Sequence, residues 1–116
     1  MMSMKVTPAA ARTMYEFLRT VAPISGWNLP EPEDIKFGIK RWKDGQWGEY
    51  EYDGEKRAIY VNGNRITTPL SLMGTMAHEM IHVYQETAGF DRDVSHGRAF
   101  KLLARKLTAV LGVDVE

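Results

Sequence analysis

Apolar and polar positions near the start of the chain follow the period of a helix. Thr7 is a typical N-cap residue and Pro8 a typical first residue of a helix. The apolar positions at helical spacing are Met14, Phe17, Leu18 and Val21. Pro23 and Gly26 favour the end of this helix, and residues 27–34, which contain two prolines, are predicted to form a loop.

The middle of the chain has the alternating pattern of strands. In residues 35–40 an apolar residue alternates with lysine or glycine, which predicts a half-buried strand. Residues 47–52 and 57–62 predict two more strands, joined by a turn at Asp53-Gly54 and preceded by a turn at Asp44-Gly45. We expect the three strands to form a small antiparallel sheet.

The last third of the chain returns to helical spacing. Thr68-Pro69 predicts a helix start, and this helix should run to about Thr87, before Gly89. Residues 90–95 are predicted to be a short polar loop, with Ser95 as the N-cap of a final helix. Its apolar stripe consists of Phe100, Leu103, Leu107, Val110 and Leu111, and Gly112 follows. The order helix, sheet, helix, loop, helix predicts one α+β domain over residues 1–116.

Composition excludes several classes of protein. Lys and Arg total 15 and Asp and Glu total 15, so no net charge attracts the chain to nucleic acid or to an anionic membrane. Cysteine is absent, which excludes disulfides, thiolate nucleophiles and cysteine-based zinc sites. The sequence shows neither a signal peptide nor a stretch that could span a membrane, so we expect a soluble, cytoplasmic protein.

The clearest chemical motif is HEMIH, residues 78–82. One side of the predicted helix collects Leu72, Met73, Met76, Ala77, Met80, Ile81, Val83 and Tyr84, and the other collects Ser71, Gly74, Thr75, His78, His82, Gln85 and Glu86. A solvated face of a surface helix would give the same polar side. However, two histidines four residues apart lie on one face and can share a tetrahedral zinc ion. A glutamate beside the first, Glu79, is placed to accept a proton from a water on that ion.

A zinc site needs a third protein ligand, and His96 is the remaining histidine of the chain. Because the loop before the last helix is short, the start of that helix should lie near the end of the HEMIH helix. Gly97 leaves the neighbourhood of this ligand free of side-chain bulk. Glu86, one turn past His82, could instead be a ligand or a residue that orients one. Asp91 and Asp93 are weaker candidates that could orient an imidazole.

The longer zinc motif HExxHxxGxxH does not fit, because this chain has Gln85 and Ala88 where that motif has glycine and histidine. Instead, HEMIH followed by a loop and SHGRAF resembles the SprT-like metallopeptidases, the family that includes the Spartan protease. The matching residues are His78, Glu79, His82, His96, Gly97 and Phe100. The specific resemblance covers about residues 70–105.

The resemblance implies a zincin-like minimal protease domain, with a small sheet packed on an active-site helix and helices flanking it on both sides. It also implies one zinc ion, a water as nucleophile and, more loosely, action on proteins crosslinked to DNA. Many members carry a C-terminal zinc ribbon or DNA-binding segments, and this chain has no cysteine for a ribbon.

These observations favour a zinc-dependent endopeptidase in which His78, His82 and His96 bind Zn²⁺. Glu79 is then the general base and later the general acid. A protein or peptide is the expected substrate. Two further hypotheses remain: a degenerate zincin that acts as a metal-stabilised binding or inhibitory module, and another zinc hydrolase on the same scaffold. A binding module has no need of Glu79.

Several more residues carry weaker signals. Arg41-Trp42-Lys43 with Trp47 interleaves basic and aromatic side chains, as single-strand binders do, although a strand end gives the same pattern. A basic face of the last helix consists of Arg98, Lys101, Arg105 and Lys106, which is typical of solvated surface. Candidates for an oxyanion-stabilising residue are Tyr60, Tyr84 and Arg98.

We predict weak, salt-sensitive DNA binding, because affinity without sequence preference comes from cations that neutralise phosphates and each basic cluster here has acidic neighbours. The dissociation constant should be no tighter than ~10⁻⁴–10⁻⁶ M near physiological salt. Single strands should bind better than duplex if Trp42 or Trp47 stacks on bases. A fluorescence titration at two salt concentrations tests this, and nanomolar binding that persists at high salt would contradict it.

Overall fold

A computed structural model describes residues 5–89 and 96–115 and gives the predicted α+β class. Its helices are α1 Pro8–Leu18, α2 Pro69–Thr87 and α3 Arg98–Leu111, and its strands are β1 Ile35–Lys40, β2 Gly48–Tyr52 and β3 Arg57–Asn62. Two short 3-10 helices, Ile24–Gly26 and Pro32–Asp34, lie between α1 and β1. The strands therefore lie within a residue of their predicted bounds.

Both predicted helix starts at Thr-Pro pairs are confirmed. The hydroxyl oxygen of Thr7 accepts a hydrogen bond from the Ala10 backbone N–H at 3.1 Å. The Thr68 hydroxyl accepts one from the Ser71 N–H, and the Ser71 side chain in turn accepts from the Thr68 N–H, forming a reciprocal cap. Helix α1 ends at Leu18, earlier than its apolar pattern predicts, because the N–H groups of Thr20 and Val21 bond to carbonyls three residues back and the chain leaves the helix through turns.

The sheet is mixed, and the predicted antiparallel arrangement is wrong for one of its two pairings. The strand order is β1-β3-β2, with β3 parallel to β1 and antiparallel to β2. Strand β3 has the central position and is the most buried of the three: its Ile59 and Val61 are completely buried, whereas β1 and β2 are mostly half-buried. The chain must therefore cross the carboxyl end of β3 between β1 and β2.

Asn62, the last residue of β3, holds that crossing in place. Its side-chain amide donates hydrogen bonds to the backbone carbonyls of Trp42 and Gln46, and its N–H donates to the carbonyl of Trp47 at 2.8 Å. The side-chain oxygen accepts from the Asn64 N–H at 2.9 Å. Asn62 is fully buried, so each of these groups depends on its partner within the protein.

Helix α2 is buried on both flanks. Its apolar side packs in the core, where Met76, Met80 and Ile81 are completely buried. Its opposite side is not the solvated face that a surface helix would show: the residues buried there include Gly74, Thr75, Glu79 and Gln85. None of the helices in the described residues is both long and apolar enough to cross a membrane.

Helix α3 begins later than predicted. Its N-cap is Gly97, without a side-chain cap, and not Ser95, which itself lies outside the described residues. Phe100 and Leu107 of the predicted stripe are buried, but Val110 is 51% exposed. Gly112 has the left-handed conformation of a helix C-cap, with φ of 75°, and turns the chain back toward α2.

We predict that Asn62→Ala lowers the free energy of unfolding by about 1–3 kcal/mol, because it removes a fully buried amide and leaves the Gln46 carbonyl without its side-chain donor. Chemical denaturation measures the change. Asn64→Ala is the matched control: its exposed amide also donates to the Trp42 carbonyl, at 3.2 Å, and its loss should cost no more than about 0.5 kcal/mol. Equal effects of the two substitutions would contradict the role given to Asn62.

Candidate metal centre

The three histidines of the chain come together at one point. The Nε2 atom of His96 lies 3.1 Å from Nε2 of His82 and 3.3 Å from Nε2 of His78. One ring nitrogen from each of the three lies within 4.8 Å of the others. Two nitrogen ligands of one tetrahedral zinc lie about 3.3 Å apart, given zinc–nitrogen bonds of about 2.0–2.1 Å. The three imidazoles, here called the histidine triad, could therefore hold a metal ion.

Two helices supply the triad. His78 and His82 lie one turn apart on α2, and His96 precedes the N-cap of α3. Phe100, in the first turn of α3, packs against all three rings, with centroid distances of 4.7, 4.7 and 4.9 Å to His78, His82 and His96. Phe100 is 3% exposed, so its ring is a buried apolar surface against which the three imidazoles pack.

The tautomer of His78 is fixed by the backbone. Its Nδ1 lies 2.8 Å from the carbonyl oxygen of Val115, in the segment after α3. Because a carbonyl oxygen only accepts hydrogen bonds, Nδ1 must carry the proton, and the lone pair of Nε2 is then free for a metal. The ring of a metal-binding histidine is commonly oriented in this way.

The side-chain amide oxygen of Gln85 is a hydrogen-bond acceptor near His82. The side-chain oxygen of Gln85 is buried and accepts no hydrogen bond within the described residues. Burial lowers the pKa of His82, and the Gln85 side chain, which adjoins the His82 ring, offsets a small part of that lowering. A metal on Nε2 of His82 would leave the proton on Nδ1, which suits a buried acceptor without a partner. The donor set and this orphaned oxygen both fit a metal ion.

Burial favours the neutral form of the His78 and His82 imidazoles. It lowers the pKa of His82 to about 4, with smaller contributions from His78 and His96, and it also lowers the pKa of His78. A histidine binds metal in its neutral form, so these shifts suit His78 and His82 to metal binding at neutral pH.

Glu79 faces a cleft beside the triad. The cleft has a volume of about 670 Å³ and is lined by Gln46, Trp47, Gly48, Leu70, Ser71, Gly74, Thr75, His78, Glu79, His96, Val113, Asp114 and Val115. Burial, with a smaller effect of Glu49, raises the pKa of Glu79 to about 8. Glu79 has no ion-pair partner within residues 5–89 and 96–115. It is thus a buried carboxyl group that opens onto the same space as His78 and His96.

Glu86 has a different role from that of a ligand. Its carboxylate accepts hydrogen bonds from the Tyr50 hydroxyl at 2.6 Å and from the Arg57 guanidinium at 2.9 Å. These contacts join the end of α2 to the sheet, and Glu86 is not a member of the metal-ligand cluster found in the described residues. Asp91 and Asp93, the two loop aspartates that could orient an imidazole, lie outside the described residues.

Two of the three oxyanion candidates make contacts away from the cleft. Lys40 lies over the ring of Tyr60 at 4.1 Å from its centroid, and the ring of Tyr84 stacks on Trp27 at 4.6 Å. Neither tyrosine lines the cleft, and Arg98 is exposed. The structure thus favours none of the three.

The basic and aromatic segment is only partly available to bases. Trp47 is 43% exposed, but the Arg65 guanidinium already lies over its ring at 4.2 Å. Trp42 is half-buried, with the Lys40 ammonium 5.8 Å from its ring centroid. The basic residues predicted on the last helix are indeed exposed.

Three residues of the site were not predicted from the sequence, because their residue types do not indicate a metal or catalytic site. Val115 acts through its backbone carbonyl, which leaves no signature in a sequence. Gly48 lies so close to α2 that a Cβ atom there would be 2.9 Å from Thr75 and 3.0 Å from Glu79. In the sequence Gln85 stands out only as a break in a longer zinc motif, although its place three residues after His82 could have marked it as a neighbour on the same helix.

Comparison with known proteins adds no assignment to this geometry. No protein-family model matches the chain, and no curated protein matches it.

Proposed function

We propose that the protein is a zinc-dependent endopeptidase. The observation that carries the proposal is the convergence of three Nε2 atoms beside a cleft that also contains the carboxyl group of Glu79. This combination places a ligand set, a general base and space for a substrate in one location. The SprT-like resemblance and a zincin-like architecture are part of the same proposal, and they rest on the matching residues of HEMIH and SHGRAF.

Zinc is the metal that best suits the donor set. Three neutral imidazoles leave one position of a tetrahedral ion open, which is typical of catalytic zinc sites. Carboxylate-rich sites, which favour magnesium or calcium, have a different composition. When bound there, zinc would polarise a carbonyl group and lower the pKa of water.

Glu79 would act as the proton carrier. Its ionised form accepts a proton from the attacking water, and its protonated form then donates that proton to the leaving amine. The pKa of about 8 describes the chain without a cation. A cation at the triad favours the ionised carboxylate, so the pKa would fall into the range of a base that works near neutral pH.

The edge of the sheet suits an extended peptide. In the described part of the chain β2 is an edge strand, since it pairs only with β3. Its first residue, Gly48, lines the cleft next to Glu79. An extended peptide can add to such an edge through main-chain hydrogen bonds and so bring its own carbonyl groups into the cleft. The exposed apolar side chains of Trp47 and Leu70 at the rim could contact substrate side chains.

Proteins bound or crosslinked to DNA are a narrower form of the proposed substrate. This narrower form rests on the family resemblance alone, and the neutral charge of the chain gives it no support. A metal-stabilised binding module is the second candidate, because burial of Glu79 also suits a structural carboxyl group that stays protonated. Substitution of Glu79 separates the two functions.

Glu79→Gln should keep about one zinc per chain, because Glu79 is a base and not a ligand. Cleavage of an unfolded protein such as casein should fall by about 10²–10⁴-fold, the usual contribution of a general acid or base. Elemental analysis of the purified proteins and a gel-based cleavage assay measure the two effects.

Glu51→Gln is the control for Glu79→Gln. Glu51 is exposed on β2 and lies 3.7 Å from Lys40, so this change should leave both zinc content and cleavage unchanged. Loss of zinc from Glu79→Gln, or cleavage at the wild-type rate, would refute the role proposed for Glu79.

His96→Ala should weaken zinc binding by more than the roughly 10–100-fold that follows loss of a residue that only orients a ligand. Competition with a chelating dye measures the affinity. The matched variant is Glu86→Ala, which should lower stability through its lost contacts with Tyr50 and Arg57 but keep zinc. The reverse result, with zinc retained in His96→Ala and lost in Glu86→Ala, would make Glu86 the third ligand.

A further inference from the structure

The segment after α3 passes directly over the metal-ligating helix. Gly112 turns the chain back, and Val113, Asp114 and Val115 then line the cleft on the side of α2. The contact is closest at Gly74, where an added Cβ atom would overlap the carbonyl oxygen of Asp114. Glycine within a helix costs about 1 kcal/mol relative to alanine. Gly74 therefore lowers the stability of α2 but lets the segment after α3 lie close to it.

Both backbone groups of Val115 are fixed. Its N–H donates to the hydroxyl oxygen of Thr108 at 3.2 Å, and its carbonyl accepts from Nδ1 of His78 at 2.8 Å. The Thr108 hydroxyl donates its own proton to the carbonyl of Ala104 at 2.8 Å, which leaves its lone pairs facing Val115. The Val115 side chain is 1% exposed and packs in the core, so the residue has little freedom to move.

A continuous chain of contacts therefore runs from α3 to the metal-binding histidine. Thr108 fixes the N–H of Val115, the Val115 carbonyl fixes the Nδ1 proton of His78, and Nε2 of His78 is then presented to the triad. Gly74 allows the segment to lie close enough for the second step. None of these residues other than His78 belongs to the histidine triad.

We propose that Thr108 and Gly74 are positioning residues that set the tautomer and orientation of His78 through the backbone of Val115. The proposal deepens the proposed function, because it concerns the same metal centre, but the hydrogen-bond chain exists independently of a metal. Loss of a partner that orients a metal ligand typically weakens metal affinity by 10–100-fold. Substitution of Thr108, which contacts neither metal nor substrate, should therefore weaken zinc affinity.

Thr108→Val is the direct test, because it removes the hydroxyl and leaves the shape of the side chain almost unchanged. We expect zinc affinity, measured by competition with a chelating dye, to fall about 10–100-fold. In the metal-free protein, ¹⁵N NMR of the imidazoles should show His78 changing from the Nδ1-protonated form to a mixture of tautomers. Thr108→Ser keeps the hydroxyl and should have the zinc affinity and the His78 tautomer of the wild-type protein.

Thr87→Val is the matched control. The Thr87 hydroxyl also donates to a carbonyl of the preceding turn, that of Tyr84 at 3.2 Å, but it has no connection to Val115. Its removal should leave zinc affinity and the His78 tautomer unchanged. Equal affinity and equal tautomer in Thr108→Val and Thr87→Val would overturn the proposal.

Gly74→Ala tests the same series of hydrogen bonds by displacing the segment that contains Val115. It also provides a test if Thr108→Val does not fold. Alanine favours the helix, so an effect through helix propensity alone would leave the metal site intact and raise stability. We expect instead a loss of zinc affinity and of the Nδ1-protonated form of His78, because the Val115 carbonyl is displaced. An unchanged His78 in folded Gly74→Ala would overturn the proposal.

Zinc affinity and the tautomer of His78, measured together, distinguish this proposal from the proposed function. If the wild-type chain binds no zinc but Thr108→Val still changes the His78 tautomer, the positioning chain is supported and the zinc enzyme is refuted. If zinc binds and Glu79 proves catalytic but Thr108→Val and Gly74→Ala change neither readout, the enzyme is supported and the positioning chain is refuted.

Discussion

The close approach of two backbone segments to helix α2 determines the rest of the site. Strand β2 approaches at Gly48, and the segment after α3 approaches at Gly74; at each place a side chain would collide with its neighbour. Between them these contacts cover the flank of α2 that a surface helix would expose to water. Both segments line the cleft, Gly48 from one side and Val113 to Val115 from the other, together with His78 and Glu79 of α2.

Exclusion of water from this flank of α2 accounts for all three pKa shifts at the site. Removal of water disfavours every charge, so it raises the pKa of the Glu79 carboxyl group and lowers the pKa of the His78 and His82 imidazoles. All three groups would prefer to be neutral without a metal. A divalent cation at the triad would reverse this preference for the glutamate and would bind the neutral lone pairs of the histidines, so one ion would suit both kinds of group.

The sequence was sufficient for features that depend on local chemistry. Thr7 and Thr68 predicted the starts of α1 and α2 from capping alone, and the four-residue spacing of His78 and His82 placed both rings on one face. His96 could be placed near them because the chain between α2 and α3 is short. The sheet order could not be obtained this way: alternation identifies a strand but does not say which strand takes the centre. The burial of Glu79 and the role of Val115 depend on backbone contacts between distant segments, which have no residue-type signature.

The order of strands in the sheet also has a consequence for how the chain folds. Strands β2 and β3 form a hairpin around Asp53-Gly54 and can associate through local contacts, whereas β1 pairs with β3 at a constant separation of 22 residues, as in Ile35 with Arg57. Closing the shorter loop costs less chain entropy, so the hairpin can form before β1 joins it. Until then β3 has an open edge on one side and β2 on the other. The docking of β1 therefore completes the sheet, with β1 and β2 as its edges in the described part of the fold, and the β2 edge is the one that adjoins the cleft at Gly48.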